Sequence, residues 1–297
     1  MKYRIIHTTT YDYAAPVTVS HHAARMEPRQ SAIQRCEQFA LDISPSPSVR
    51  KTRSDYFGNR VCFFSVQEIH QHLEITAESI VEVEGVIPPA TSLSPPWEKA
   101  AALFRDPVSP KVVESYQFCC DSPLLKATPE LADFASKDFP KNAPLLAGAF
   151  DLCRRIFREF RYDPVATNIA TPLEEVLEKR RGVCQDFAHL GIACLRSLGL
   201  PARYVSGYLR TRPPEGKPRL AGADASHAWF SVFSPGIGWV DFDPTNNIMP
   251  ADEHITVAFG RDFSDVSPLS GIITGGGEHD LKVSVDVDEA APAPSPS

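Results

Sequence analysis

The sequence predicts an α+β protein, with a small all-β domain followed by a mixed domain of helices and antiparallel strands. Three observations carry this. Short runs rich in β-branched and aromatic residues fill the first 84 positions. Six prolines then crowd residues 85–111. Beyond them, helical periodicity runs to about residue 198 before strand patterns return. The division expected is residues 1–110 as a β-sandwich-like domain, 111–288 as the mixed domain and 289–297 as a disordered tail.

Each element has a local reason. Tyr3 to Tyr11 is aromatic and β-branched, as a strand requires. Phe39-Ala40-Leu41-Asp42-Ile43 is apolar and stops at Ser44-Pro45. The turn Tyr56-Phe57-Gly58-Asn59-Arg60 leads into the strand 61–66. Residues 72–77 and 79–84 alternate with period 2. Pro88, Pro89, Pro95, Pro96, Pro107 and Pro110 mark a linker. Thr128-Pro129 sets an N-cap with proline at the first helical position. Leu145, Ala149, Leu152, Ile156 and Phe160 form a helical stripe. Thr171 with Glu174 reads as a capping box. A helix starting near Cys184 carries Phe187, Leu190, Gly191, Cys194, Leu195 and Leu198, and ends at Gly199-Leu200-Pro201. Strands follow at 202–209, 227–233 and 238–243, and Leu281 to Val287 alternates as a last strand. Glu289 to Ser297 is mostly Ala, Pro and Ser, too poor in apolar residues to pack.

Composition narrows the function. The chain has 297 residues, 43% hydrophobic and 23% charged, so it can bury a core without disulfides or a metal. No run of about 18 apolar residues exists, and Met1 to His7 lacks a signal-peptide stretch. The net charge is −7 with no basic block. These features exclude a membrane span and a nucleic-acid footprint. Seven cysteines, an odd number without C-x-x-C, predict reduced thiols and a cytoplasmic location.

Cys184 stands apart from the other six. It follows Arg180-Arg181-Gly182-Val183 at a helix start, where free N–H groups and nearby guanidinium groups favour a thiolate and a developing oxyanion. Acyl transfer also needs a base and a group that orients it. His227 heads a strand 43 residues later, close to the strand that ends in Asp241-Phe242-Asp243. Asp241 and Asp243 share a face by period 2, so spacing leaves both open as the orienting carboxylate.

Four strings together, Gly182 to His189, Leu200 to Tyr208, His227-Ala228-Trp229 and Gly238 to Thr245, resemble the transglutaminase-like superfamily of papain-like cysteine enzymes. The likeness is strong over roughly residues 140–250. Tyr11-Asp12-Tyr13, Pro28-Arg29 and Asp55 to Asn59 resemble the β-module that precedes this core in bacterial members, and Gly260 to Leu269 with Gly275-Gly276-Gly277 resembles their C-terminal part. The resemblance implies a papain-like catalytic domain with Cys184 as nucleophile, His227 as base and Asp243, rather than Asp241, as orienting residue. It implies a protein or peptide substrate, amide chemistry through a thioester, and no cofactor. Hydrolysis is the favoured outcome; transfer to an amine and a non-catalytic protein-binding module are the alternatives. Animal transglutaminases depend on calcium, but no D-x-[DN]-x-[DN]-G loop is present, so no metal is expected.

Other candidates have plainer readings. His70 and His72 fall on one strand face, read as solvated because no third ligand is evident. His21 and His22 point to opposite faces. His189, about a turn and a half along the nucleophile helix, is expected to pack or to support the site, Trp229 and Trp239 to form core or cleft wall, Arg203 to make a structural ion pair, and residues 213–218 to form an exposed loop.

Overall fold

The computed structural model describes residues 1–85, 87–106, 109–167, 171–210 and 226–290. The first part gives five strands: β1 (Lys2–Ala24), β2 (Gln34–Ser44), β3 (Val49–Ser54), β4 (Arg60–Val66) and β5 (His70–Val83). They pair antiparallel in the order β2-β5-β1-β4-β3. β1 is the spine, with β5 along residues 2–17 and β4 along residues 20–24. Its alternation buries Tyr3, Ile5, His7 and Thr9 and turns Lys2 and Arg4 outward. The two segments at 72–77 and 79–84 are one continuous strand. A register shift in β1 between Asp12 and Val17 separates the histidines of β5. His70 lies buried against the Tyr13 ring, whereas His72 is exposed and bonds Asp12 at 2.8 Å. They do not share the open strand face that spacing predicts.

The proline-rich segment is not a plain linker. It holds a 3-10 turn at Thr91–Leu93 and helix α1 (Trp97–Arg105), capped by Pro96, and leads into α2 (Pro110–Tyr116). Proline's fixed φ suits a helix start, so here it punctuates helices rather than separating domains. Ala100, Ala101 and Phe104 of α1 are buried.

The chain then alternates. α3 (Pro129–Ser136) is capped by Thr128, whose hydroxyl accepts from the Leu131 N–H at 3.3 Å. α4 (Leu145–Glu159) buries its apolar stripe. β6 (Arg161–Tyr162) pairs in parallel with β7 (Arg181–Gly182), and α5 (Leu173–Lys179) lies between them with Pro172 at its N-cap, one residue beyond the threonine read as the cap. α6 (Cys184–Ser197) is almost wholly buried. It packs on an antiparallel sheet of β8 (Ala202–Leu209), β9 (Ser226–Ser234), β10 (Gly238–Phe242) and β11 (His254–Gly260), in the order β10-β9-β8-β11.

Gly207 on β8 faces His227 on β9 across the ladder. A Cβ there would sit 2.1 Å from the Ile255 carbonyl oxygen and 2.6 Å from the Trp229 ring. Backbone cannot yield as a flexible side chain can. Gly207→Ala is therefore expected to cost about 3 kcal/mol, measured as a lower midpoint of urea unfolding at unchanged slope.

After α7 (Phe263–Val266) the chain returns to the first sheet. β12 (Leu269–Gly275) pairs with residues 17–24 of β1, and β13 (His279–Glu289) with residues 3–13. These strands cover the edge of β1 that β4 and β5 leave open. The sheet thus departs from the division at 110 and 288 read from the sequence: the last two strands belong with the first five. Glu289, placed in the tail, closes β13. Residues 291–297 of that tail and the loop 213–218 lie outside the described residues.

Two cores result. Val17, Phe64, Leu73 and Ile75 pack within the β-domain. Tyr3, Ile5, Val285 and Val287 instead join Leu152, Leu190 and Phe230 in a core shared with the second domain. That shared core fixes the first sheet against α6 and β9. No described helix is long and apolar enough to cross a membrane.

Candidate active site

Cys184 is the first residue of α6, as the sequence predicts. Asp186 shapes this helix start: its Oδ2 accepts from the Val183 N–H at 2.8 Å and from the Thr167 hydroxyl at 2.6 Å. Gly182 permits this, because a Cβ there would lie 2.6 Å from that same oxygen. The half-buried Cys184 side chain opens into a cavity of about 410 Å³ that also holds Tyr162, Gln185, Tyr204 and His227. Arg180 and Arg181, expected beside the thiol, are engaged elsewhere. Arg180 pairs with Glu159 at 2.8 Å and lies over the Phe134 and Phe160 rings; Arg181 reaches Asp163 at 3.8 Å.

β9 delivers His227 to the cavity that holds Cys184. Its imidazole lines the cavity with Cys184, and its Nε2 meets Asp243 Oδ2 at 2.8 Å behind it. Asp243 follows β10 in a turn that its own carboxylate organises. Oδ1 accepts from the Thr245 and Asn246 N–H groups at 2.9 and 3.2 Å. Oδ2 accepts from His227, from Asn246 Nδ2 at 2.7 Å and from His254 Nε2 at 3.0 Å. A carboxylate with 0% exposure is tolerable only because so many donors replace water.

Electrostatics follow from this geometry. Burial would raise the Asp243 carboxyl, but the donors around it, His227 and His254 first, outweigh burial and hold it well below the usual carboxylate range. Burial likewise pulls the His227 imidazole down, and its bonds to Asp243 and Cys184 overcome that and raise it. The stability this lends is complete below pH about 6.5 and is lost as pH rises through the raised value. In a titration followed by NMR, the His227 ring should keep its proton well above pH 6.5. Asp243→Asn should move that titration back towards neutrality, and an unmoved curve would show that the charge of Asp243 does not act on His227.

Asp241 has another partner. Its Oδ2 accepts from Trp229 Nε1 at 2.9 Å, which fastens the fully buried Trp229 beneath the site. His189 lies on the buried side of α6, against the Tyr204 ring. Its Nε2 accepts from the Phe263 N–H at 3.1 Å, and burial lowers it to about 4, so it is neutral. Arg203 differs from expectation: its guanidinium lies over the Trp239 and Phe259 rings at 4.2 and 3.8 Å, with no ion pair among the described residues.

His254 is the residue that sequence reasoning missed. It heads β11, which no pattern had assigned, and the one available signal was a polar residue opening the apolar run His254 to Phe259. With His227 and Asp243 it brings three ligand-type atoms within 4.8 Å of one another. Both Nε2 atoms already face Asp243 Oδ2 at hydrogen-bond distance, so a cation here would have to displace both ring protons.

Comparison with known proteins agrees with this architecture. Residues 3–82 match the bacterial transglutaminase-like N-terminal region, and residues 135–244 match the transglutaminase-like superfamily core. An uncharacterized protein of Mycobacterium tuberculosis is 42% identical over 294 residues, covering 96% of this chain and 92% of its own. Over 107 residues the chain is 29% identical to a protein-glutamine gamma-glutamyltransferase of Pseudomonas aeruginosa, covering 33% of this chain and 16% of that one. In fold it is similar to a cysteine-protease candidate from Cytophaga hutchinsonii, with a TM-score of 0.77 at 23% identity over 100% of this chain and 93% of that one. The chain belongs to the transglutaminase-like superfamily, in the bacterial form that carries its own N-terminal β-region.

Proposed function

We propose that this protein is a cysteine enzyme acting on amide bonds of protein or peptide substrates through an acyl thioester on Cys184, with water as the favoured acceptor. One observation carries the reading: His227, bonded through Nε2 to the buried Asp243, opens on the same cavity as Cys184. In the first step the Cys184 sulfur attacks the carbonyl carbon as a thiolate, its proton held by His227 as the imidazolium of an ion pair or passed to it during the attack. The backbone N–H of Cys184, which has no intrahelical acceptor at the helix start, donates to the oxyanion. Collapse breaks the C–N bond, and His227 returns the proton to the departing amine. Water then attacks the thioester with His227 as base, releasing the acid and the thiol.

A second acceptor is favoured by one finding, the likeness to the Pseudomonas gamma-glutamyltransferase. On that reading an amine replaces water at the second step. Incubation with a peptide library, with and without an added primary amine, tests both. Cleaved fragments that together weigh the parent plus water, or side-chain amides converted to acids with loss of ammonia, support hydrolysis, and amine adducts support transfer. Unchanged peptides in both arms, with no acyl adduct on the protein, would contradict the proposal.

A cytoplasmic location belongs to the same reading. All seven cysteines are free, as suits a reducing compartment. Protein purified without reductant and alkylated after unfolding should take seven labels by intact mass; labels gained only after reduction would place it elsewhere.

A further inference from the structure

We infer that the β-domain selects the substrate, through an apolar wall on β13 that receives an uncharged, apolar side chain next to the reacting amide. This rests on the reading of Cys184 given above. The odd-numbered residues of β13 share one face. Val285 and Val287 at one end are fully buried in the core that joins the two domains. Leu281 and Val283 continue the same stripe yet are each 51% exposed. Folding explains the buried half of the stripe and not the exposed half. The exposed half faces the cavity that contains Cys184 and His227.

The register supports a built wall. Tyr11 pairs with Leu281 and Thr9 with Val283, and all four side chains line this cavity, with Leu269 of β12 beside them. The opposite face of the same strand is charged: Lys282 bonds Asp12 at 3.0 Å in solvent. The strand therefore turns its ionic side to water and its apolar side to the nucleophile. Apart from Cys184 and His227, the described residues lining the cavity include no Asp, Glu, Lys or Arg. Burial keeps His7 there neutral by lowering it to about 4. A charged substrate side chain would lose its water without finding a partner, whereas an apolar one would cover Leu281 and Val283.

Peptidyl chloromethyl ketones provide the test. They alkylate a cysteine sulfur with loss of chloride, so no natural substrate is needed. Three probes carry leucine, glutamate or lysine beside the ketone. Labelling of Cys184 is followed by intact mass and peptide mapping, with iodoacetamide as a probe that has no side chain to select. The leucine probe should react at least about tenfold faster than the glutamate probe. Leu281→Glu and Val283→Glu should each lower the leucine-to-lysine ratio about tenfold, with the lysine probe itself gaining, while the iodoacetamide rate at Cys184 stays unchanged. Leu281→Ser keeps the test open if a glutamate variant unfolds, and should lose the leucine preference alone. Equal rates in the wild type, or a preference untouched in every folded variant, overturn the wall and leave the nucleophile standing. A Cys184 that reacts no faster than the exposed Cys120 with any probe removes the underlying reading, and the wall with it.

Discussion

Cys184→Ala should lose turnover by roughly 10⁴-fold or more, with His227→Ala nearly as severe. No other described thiol can replace it, because Cys153 and Cys194 are buried in the core and Cys36, Cys62, Cys119 and Cys120 do not line the cavity. The two losses should not add. Sulfur and imidazole act as one unit, so the double variant should be about as inactive as either single one. Cys184→Ala should leave stability nearly unchanged, since the side chain is half-buried at a cavity mouth. Steady-state turnover of the peptides found in the library screen, with chemical unfolding alongside, checks both statements.

The second large effect concerns Asp243. Asp243→Asn keeps the size of the side chain but removes the charge that holds the imidazolium. Turnover should fall by about 10²- to 10⁴-fold, less than for Cys184→Ala. Asp243→Ala should in addition destabilise the fold by about 3 kcal/mol. It strips the partners from His227, His254 and Asn246 Nδ2 and from two backbone N–H groups at once, and all of these are held to one fully buried carboxylate. Asp241→Asn should change turnover little, because its bond runs to Trp229. If Asp241→Asn is the more damaging of the two in folded protein, the orienting carboxylate has been assigned to the wrong residue.

Much of this site is legible in the sequence because its parts are local. Cys184 after Gly182-Val183 announces a helix start, and His227 announces a strand. The choice between Asp241 and Asp243 is not local. Both lie on one face by period 2, and what separates them is the turn after β10, which gives Asp243 its ring of donors and leaves Asp241 to Trp229. His254 is invisible for the same reason: only the pairing of β11 with β8 brings it to Asp243. The proline-rich segment between residues 85 and 111 carries a general ambiguity. Proline can end a domain or start a helix, and at Pro96 and Pro110 it starts helices. The return of β12 and β13 to β1 joins residues more than 240 positions apart, and no window of sequence contains both partners. The strand alternation of Leu281 to Val287 is plain in the sequence, but its destination is not.

The most direct test of the central claim is the rate of iodoacetamide labelling at neutral pH, resolved by cysteine. The account predicts that Cys184 reacts well ahead of the exposed Cys120, that His227→Ala removes this lead, and that Asp243→Asn reduces it. Labelling of Cys184 at the rate of Cys120, unchanged when His227 is replaced, would contradict it.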